Sequence, residues 1–123
     1  MWIRLDVNGE QWINENDVFR IVFSERHETY SLHTTYGDII HTVSSVGGKR
    51  TIAQVVSGAH WLELVGAWYY INLDCASEIE FVDAADGGID AHFYWQGRRI
   101  HTINTRILTD QVRDKLVELS VRC

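Results

Sequence analysis

The chain has 123 residues, 46% hydrophobic and 23% charged, which suits one globular domain and excludes a disordered chain, a collagen-like repeat and a coiled-coil fibre. A formal charge of -6 argues against nucleic acid or an anionic membrane as a partner of the whole surface, because both need clustered Lys and Arg. The opening Trp2-Ile3-Arg4-Leu5-Asp6 carries charge inside its first apolar run, unlike an export signal, and the longest uncharged apolar stretch, 64–73, is far shorter than the ~20 residues that span a bilayer. The expectation is a cytoplasmic protein, not a membrane protein, with Cys75 and Cys123 as reduced thiols, since a disulfide would have to tether the last residue. The absence of proline leaves edge strands to be protected by charge, bulges or partners, which favours self-association.

Taken in chain order, the sequence reads as one pattern written twice. Trp2-Ile3-Arg4-Leu5 resembles Trp61-Leu62-Glu63-Leu64, and Trp12-Ile13-Asn14 resembles Tyr70-Ile71-Asn72. Ile21-Val22-Phe23 then matches Ile79-Glu80-Phe81, and the run from Gly37 to Val43 matches the run from Gly97 to Ile103. This predicts internal repeats at 2–57 and 61–119. Within each copy the apolar period is two, the mark of strands with one buried face. Ile3, Leu5 and Val7 are expected inward, followed by Phe19, Ile21 and Phe23 with Val18 outward, and in the second copy by Ile79 and Phe81. Asn8-Gly9, Tyr36-Gly37 and Gln96-Gly97 are hairpin turn signals. Four strands per copy are therefore expected.

A short helix is expected over 51–56, ending at Ser57-Gly58, with Gly47-Gly48-Lys49-Arg50 as a flexible connector before it. The clearer helix is C-terminal, with Thr109 as its N-cap and Leu108, Val112, Leu116 and Leu119 as its apolar stripe. The predicted fold class is α+β, mainly antiparallel β: two pseudo-symmetric β4α repeats packed as a single domain over 1–123, with a C-terminal helix.

Five tryptophans exceed what core filling usually takes, so some are expected at a surface. Trp68-Tyr69-Tyr70 places aromatics on both faces of a strand, which fits a subunit interface, a thick core or an aromatic-lined pocket. A two-residue turn at Gln96-Gly97 sets His92 opposite His101, roughly 5 Å apart at Cβ. The same logic sets His41 opposite Leu32 and His33 opposite Ile40. No ligand spacing supports a metal site, and repeated sheet histidines that pack and hydrogen-bond are expected instead. Carboxylates gather between Asp74 and Asp90, and basic residues between Arg98 and Arg122, a division that suits pairing of acidic and basic patches. The segment from Asp83 to Asp90 lacks the ligand pattern of a calcium loop and reads as a glycine hairpin turn. No nucleophile elbow, phosphate loop or zinc-protease motif occurs, so no catalytic residue and no cofactor is assigned.

The stretch from Trp12-Ile13-Asn14 through Asp17-Val18-Phe19-Arg20-Ile21 to Tyr30-Ser31-Leu32-His33-Thr34-Thr35-Tyr36-Gly37 resembles the strand pattern of LytTR-type DNA-binding domains, over about a quarter of the chain. The resemblance implies a mainly β transcription regulator that inserts basic loop residues into DNA grooves. The reading preferred from the residues is a small binding or interaction protein, homo-oligomeric as a dimer or higher. Its small-molecule site is placed at Trp68, Tyr70, Trp95, His101 and His41. The DNA-binding regulator, with nucleic acid the less favoured partner, and a small hydrolase using His and carboxylates are the alternatives.

Overall fold

A computed structural model of the protein describes residues 2–6, 10–36, 40–64 and 69–120. The first half runs β1 (Trp2–Asp6), β2 (Glu10–Asn14), a 3-10 turn (Glu15–Asp17), β3 (Val18–Ser24), β4 (Thr29–Thr34), β5 (Ile40–Val43) and α1 (Val46–Val56). The second runs β6 (Trp61–Leu64), β7 (Tyr69–Asn72), a 3-10 turn (Leu73–Cys75), β8 (Glu78–Asp83), β9 (Ile89–Trp95), β10 (Arg98–Ile103) and α2 (Arg106–Ser120). The class is α+β, mainly antiparallel β, with a C-terminal helix.

Among the described residues five strands, not the expected four, precede α1 and five lie between α1 and α2, each set divided by a 3-10 turn. An asparagine makes each turn. Asn14 Oδ1 accepts the backbone N–H of Asn16 at 3.0 Å, and Asn72 Oδ1 accepts that of Asp74 at 3.1 Å. A side-chain oxygen that captures an N–H two residues on turns the backbone out of the strand.

The strands form a two-stranded sheet β1-β2, a five-stranded sheet β5-β4-β3-β7-β6 and a three-stranded sheet β10-β9-β8. The chain divides into two compact units, one ending at Cys75 and one beginning at Ala76. That boundary lies inside the segment 61–119 expected as a second repeat, because β7 pairs with β3 (Arg20↔Ile71, Ile21↔Tyr70, Val22↔Tyr69) and carries β6 into the first unit.

The core of the first unit joins Ile3, Leu5 and Ile13 of the first hairpin to Ile21, Leu32 and Val43 of the large sheet. Ile52 and Val55 of α1, with Trp61 and Tyr70, complete it. Full burial of each such aliphatic side chain contributes about 1.5–3 kcal/mol. Ile3 and Leu5 face inward as their alternation predicts, and Val7 lies outside the described residues. β3 departs from the expected parity. A register shift between Val18 and Arg20 turns Val18 fully inward together with Ile21, and Phe23 is left half-buried, stacked on Tyr30 at 4.9 Å. α1 starts earlier than its apolar pattern suggests. Ser45 is the N-cap, its Oγ accepting the Gly48 N–H at 2.9 Å, so 47–50 are the first turns of the helix and not a connector.

In the second unit, the turn from Asp83 to Ile89 is closed by Ala84 N–H to the Gly88 carbonyl at 2.8 Å, with Gly87 at φ +85°. The predicted glycine hairpin is therefore present. Gln96 and Gly97 sit at φ +50° and +79° between the paired Trp95 and Arg98, the double left-handed conformation of a two-residue hairpin turn. α2 is capped by Thr105, whose Oγ1 accepts the Leu108 N–H at 3.4 Å. Thr109, the cap expected from sequence, is inside the helix and fully buried. Its hydroxyl contacts the Ile89 and Thr105 carbonyls at 3.1 and 2.8 Å, which ties α2 to the start of β9. Val112 of the predicted stripe is fully buried, with Leu108, Leu116 and Leu119 half-buried beside it. Among the described residues no helix is long and apolar enough to cross a membrane.

Candidate functional site

The first hairpin pairs Trp2 with Asn14, Ile3 with Ile13 and Arg4 with Trp12. Since paired residues share a face and neighbours alternate, Ile3, Leu5 and Ile13 turn to the core while Trp2, Arg4 and Trp12 occupy the outer face. Trp2 is 60% and Trp12 50% exposed, and the Arg4 guanidinium lies 5.8 Å from the Trp12 ring centroid, a cation–π contact. Two large indoles beside an arginine on one outward face are a binding surface in composition.

Beside that face stands the N-terminus of α1. Trp2, Arg4 and Trp12 together with Ser45, Gly47, Gly48 and Thr51 line an open cleft of about 350 Å³. The first turn of α1 holds no acidic residue, so the positive end of the helix dipole is not neutralised there. A Cβ at Gly47 would meet nothing within 4 Å, which leaves that wall low. The cleft therefore combines two flat apolar surfaces, one guanidinium and a helix N-terminus. Such a set is suited chemically to a planar ring that carries an anionic group.

The residues expected to form a site from sequence lie elsewhere. Trp68 is outside the described residues. Tyr70 sits on β7 within the core, 7% exposed, and its hydroxyl is pushed above the usual tyrosine value by burial, then by Glu63 and Tyr30. His41 is half-buried on β5 opposite Leu32, and His33 is opposite Ile40, both in the predicted register. Trp95 is half-buried beside the β9–β10 turn. His101 is opposite Phe93, with ring centroids 5.9 Å apart. None of these described residues lines the cleft. The expected opposition of His92 and His101 is also absent: a register shift between Arg99 and His101 moves β10 by one residue, so His92 faces Thr102 and its Nδ1 lies 3.0 Å from the Thr102 hydroxyl. Among the described residues no group of three metal-ligating side chains is gathered.

A second polar cluster has no counterpart in the sequence reading. His60 Nε2 lies 2.9 Å from Glu15 Oε1, and its Nδ1 lies 3.8 Å from Asp74 Oδ2. Beneath them, Asn72 Nδ2 donates to the carbonyls of Glu15 and Val18 at 3.3 and 3.1 Å. The Cys75 thiol donates to those of Asn16 and Val18 at 2.9 and 3.2 Å. Burial, then Asp17, Asp74 and Glu15, push the Cys75 thiol up to about 12. A thiol held protonated and engaged by two carbonyls is not a nucleophile at neutral pH, and the cluster reads as the brace that joins the two 3-10 turns. Residues 15 and 60 are 45 apart, and only the β3–β7 pairing brings them together, so no spacing in the sequence announces the contact. Trp2 and Trp12 were missed as site residues, although their parity against Ile3 and Ile13 is a signal that puts them outside.

No protein-family model matches this chain, and neither a curated protein nor a solved structure is similar to it.

Proposed function

We propose that the protein is a homo-oligomeric binding protein that takes a small planar anion in the cleft between the β1–β2 hairpin and the N-terminus of α1. The carrying observation is the convergence of Trp2, Trp12 and Arg4 on a helix N-terminus whose first turn holds no carboxylate. The ring of the ligand lies against indole, and its anionic group takes Arg4 and the positive helix end. The exposed edge strands supply the contacts between copies. Tryptophan fluorescence titrated with AMP, adenosine and inorganic phosphate tests the ligand class. AMP is expected to quench and to bind more tightly than either fragment. Arg4→Ala is expected to weaken AMP by roughly ten- to a hundredfold, the worth of a charged hydrogen bond of about 1.5–3 kcal/mol. Equal affinity for AMP in the Arg4→Ala protein overturns the proposal.

A DNA-binding regulator is the second reading, favoured by the exposed Arg98 and Arg99 immediately after the tight Gln96-Gly97 turn, by the exposed Arg26 in the β3–β4 turn and by the LytTR-like strand pattern. This reading predicts duplex binding whose logarithmic salt slope is about -0.9 per phosphate contacted and falls in Arg98→Ala and Arg99→Ala variants. Binding to duplex that is indifferent to salt removes it.

A further inference from the structure

β3 is the first strand of a three-strand meander, and it has accepted a hairpin: β7 lies along its outer edge and β6 beyond. The chain contains a second such meander, β8-β9-β10, and a second such hairpin, β1-β2. The hairpins share their register, since Trp2↔Asn14, Ile3↔Ile13 and Arg4↔Trp12 correspond to Trp61↔Asn72, Leu62↔Ile71 and Glu63↔Tyr70. Each ends in an asparagine-capped 3-10 turn that leads into its meander. Even the helix caps keep step, Ser45 accepting from residue 48 and Thr105 from residue 108. Among the described residues of the single chain, however, β2 is paired to β1 and β8 to β9 alone, each the outer strand of its own sheet.

We infer that β2 of one copy pairs antiparallel with β8 of a second copy, in the register that β7 uses on β3. Transposed through the matched sequences, Arg20↔Ile71, Ile21↔Tyr70 and Val22↔Tyr69 become Glu78↔Ile13, Ile79↔Trp12 and Glu80↔Gln11. This rests on the homo-oligomeric part of the function proposed above and gives it an interface. Because each chain owns one β2 and one β8, the contact is made twice about a two-fold axis, and the resulting dimer is closed, with both edges used.

The register brings an apolar pair together on one face and a polar pair on the other. On one, Ile79 comes beside Trp12, as Ile21 comes beside Tyr70. In the observed pair these residues are 0% and 7% exposed, whereas Trp12 is 50% exposed and Ile79 half-buried in the single chain. Ile79 of the second copy thus continues the wall of the Trp2–Arg4–Trp12 cleft, so the ligand site gains a residue from its neighbour. On the other face Glu78 falls opposite Ile13, which is already buried in the core of its own unit, and one polar pair forms. Glu80 already stands opposite His92 on β9 and meets Gln11 across the junction, in the place that Val22 and Tyr69 hold in the observed pair.

The test uses full-length Gln11→Cys and Glu80→Cys proteins, both substituted at exposed positions, with folding checked by circular dichroism and the unsubstituted protein as background. Residues directly opposite on antiparallel strands have Cβ atoms ~4.5–5.5 Å apart, within reach of a disulfide after small adjustment. Light scattering is expected to give a dimer. Mild oxidation of the two variants after mixing and equilibration is expected to give a covalent dimer containing one of each, with little from either alone and little when Asp83→Cys replaces Glu80→Cys. A dimer that forms no mixed disulfide overturns the strand pairing and leaves the homo-oligomeric reading standing. A strict monomer at all concentrations overturns both. A Gln11→Cys/Glu80→Cys double variant that closes its disulfide within one chain overturns the contact between copies.

Discussion

The hairpins β1–β2 and β6–β7 are built on the same register and end in the same asparagine turn, yet their equivalent aromatic residues meet opposite fates. Trp2 is 60% exposed and Trp61 4%; Trp12 is 50% exposed and Tyr70 7%. The difference does not come from either hairpin. It comes from β3, which holds β7 along its edge and so places Trp61 and Tyr70 against the core of the first unit, while among the described residues β2 pairs with β1 alone. Burial here is a property of the neighbour that a strand finds, and hairpins of the same register lie in the core in one place and at the surface in the other.

The comparison breaks most sharply at its tryptophans. Trp61→Ala removes a fully packed indole and is expected to cost about 3–5 kcal/mol in chemical denaturation, as large-to-small core substitutions do. Trp2→Ala, at the matching position, is expected to stay within about 0.5 kcal/mol, as surface substitutions do. Trp61 Nε1 is buried without a hydrogen-bond partner among the described residues, so Trp61→Phe is expected to cost less than the lost area alone implies, because the unsatisfied donor goes with it. Similar costs for Trp2→Ala and Trp61→Ala would mean that Trp2 is covered in the folded protein and does not stand on an open surface.

The asparagines give the next contrast. Asn14 only caps its turn, while Asn72 caps its turn and also reaches two carbonyls across to the other 3-10 segment, 1% exposed. Replacing Asn14 by Ala is expected to cost about 1 kcal/mol, the worth of a cap. Replacing Asn72 by Ala leaves buried carbonyls without their donor and is expected to cost about 2–3 kcal/mol. Equal losses, measured by denaturant midpoint at constant slope, would show that the bridge to Glu15 and Val18 contributes nothing.

What could be read from sequence was periodic and local. Alternation placed Ile3 and Leu5 inward, the two-residue turn at Gln96-Gly97 was legible from its glycine, and the register of His41 and His33 followed from counting back from Tyr36-Gly37. The misses of strand parity share one cause. Parity counting assumes an unbroken ladder, and single-residue register shifts at Val18/Arg20 and Arg99/His101 invert it, turning Val18 inward and moving His101 away from His92. Thr109 reads as a cap because threonine is good at both tasks, and only packing distinguishes a cap from a buried hydroxyl tied to Ile89. The candidate site was half visible: the outward parity of Trp2 and Trp12 could be read, but their juxtaposition with α1 depended on Ser45 starting the helix six residues before the segment that reads as helical.

The smallest expected effect separates the polar faces of the two meanders. β3 carries Arg20 at the position where β8 carries Glu78, so His33 beside it has a cation for a neighbour. Arg20 Nη2 donates to His33 Nδ1 at 2.8 Å, and burial first, then the Arg20 charge, lowers the imidazole from 6.5 to about 4. His33 therefore accepts this hydrogen bond as a neutral ring. Between pH 6.5 and about 4 the unfolded chain binds a proton that the folded chain refuses. Stability from this group is fully present above pH 6.5, declines as pH falls toward about 4 and changes no further below that. The ring is half-exposed, so solvent screening leaves this contribution at about 1 kcal/mol. Ring-proton NMR of the folded protein is expected to show His33 titrating near 4, and Arg20→Met is expected to raise that value part of the way to 6.5, since burial persists when the charge is removed. A His33 that titrates near 6.5 in the unsubstituted protein would place the guanidinium away from the ring and remove this difference between the two sheets.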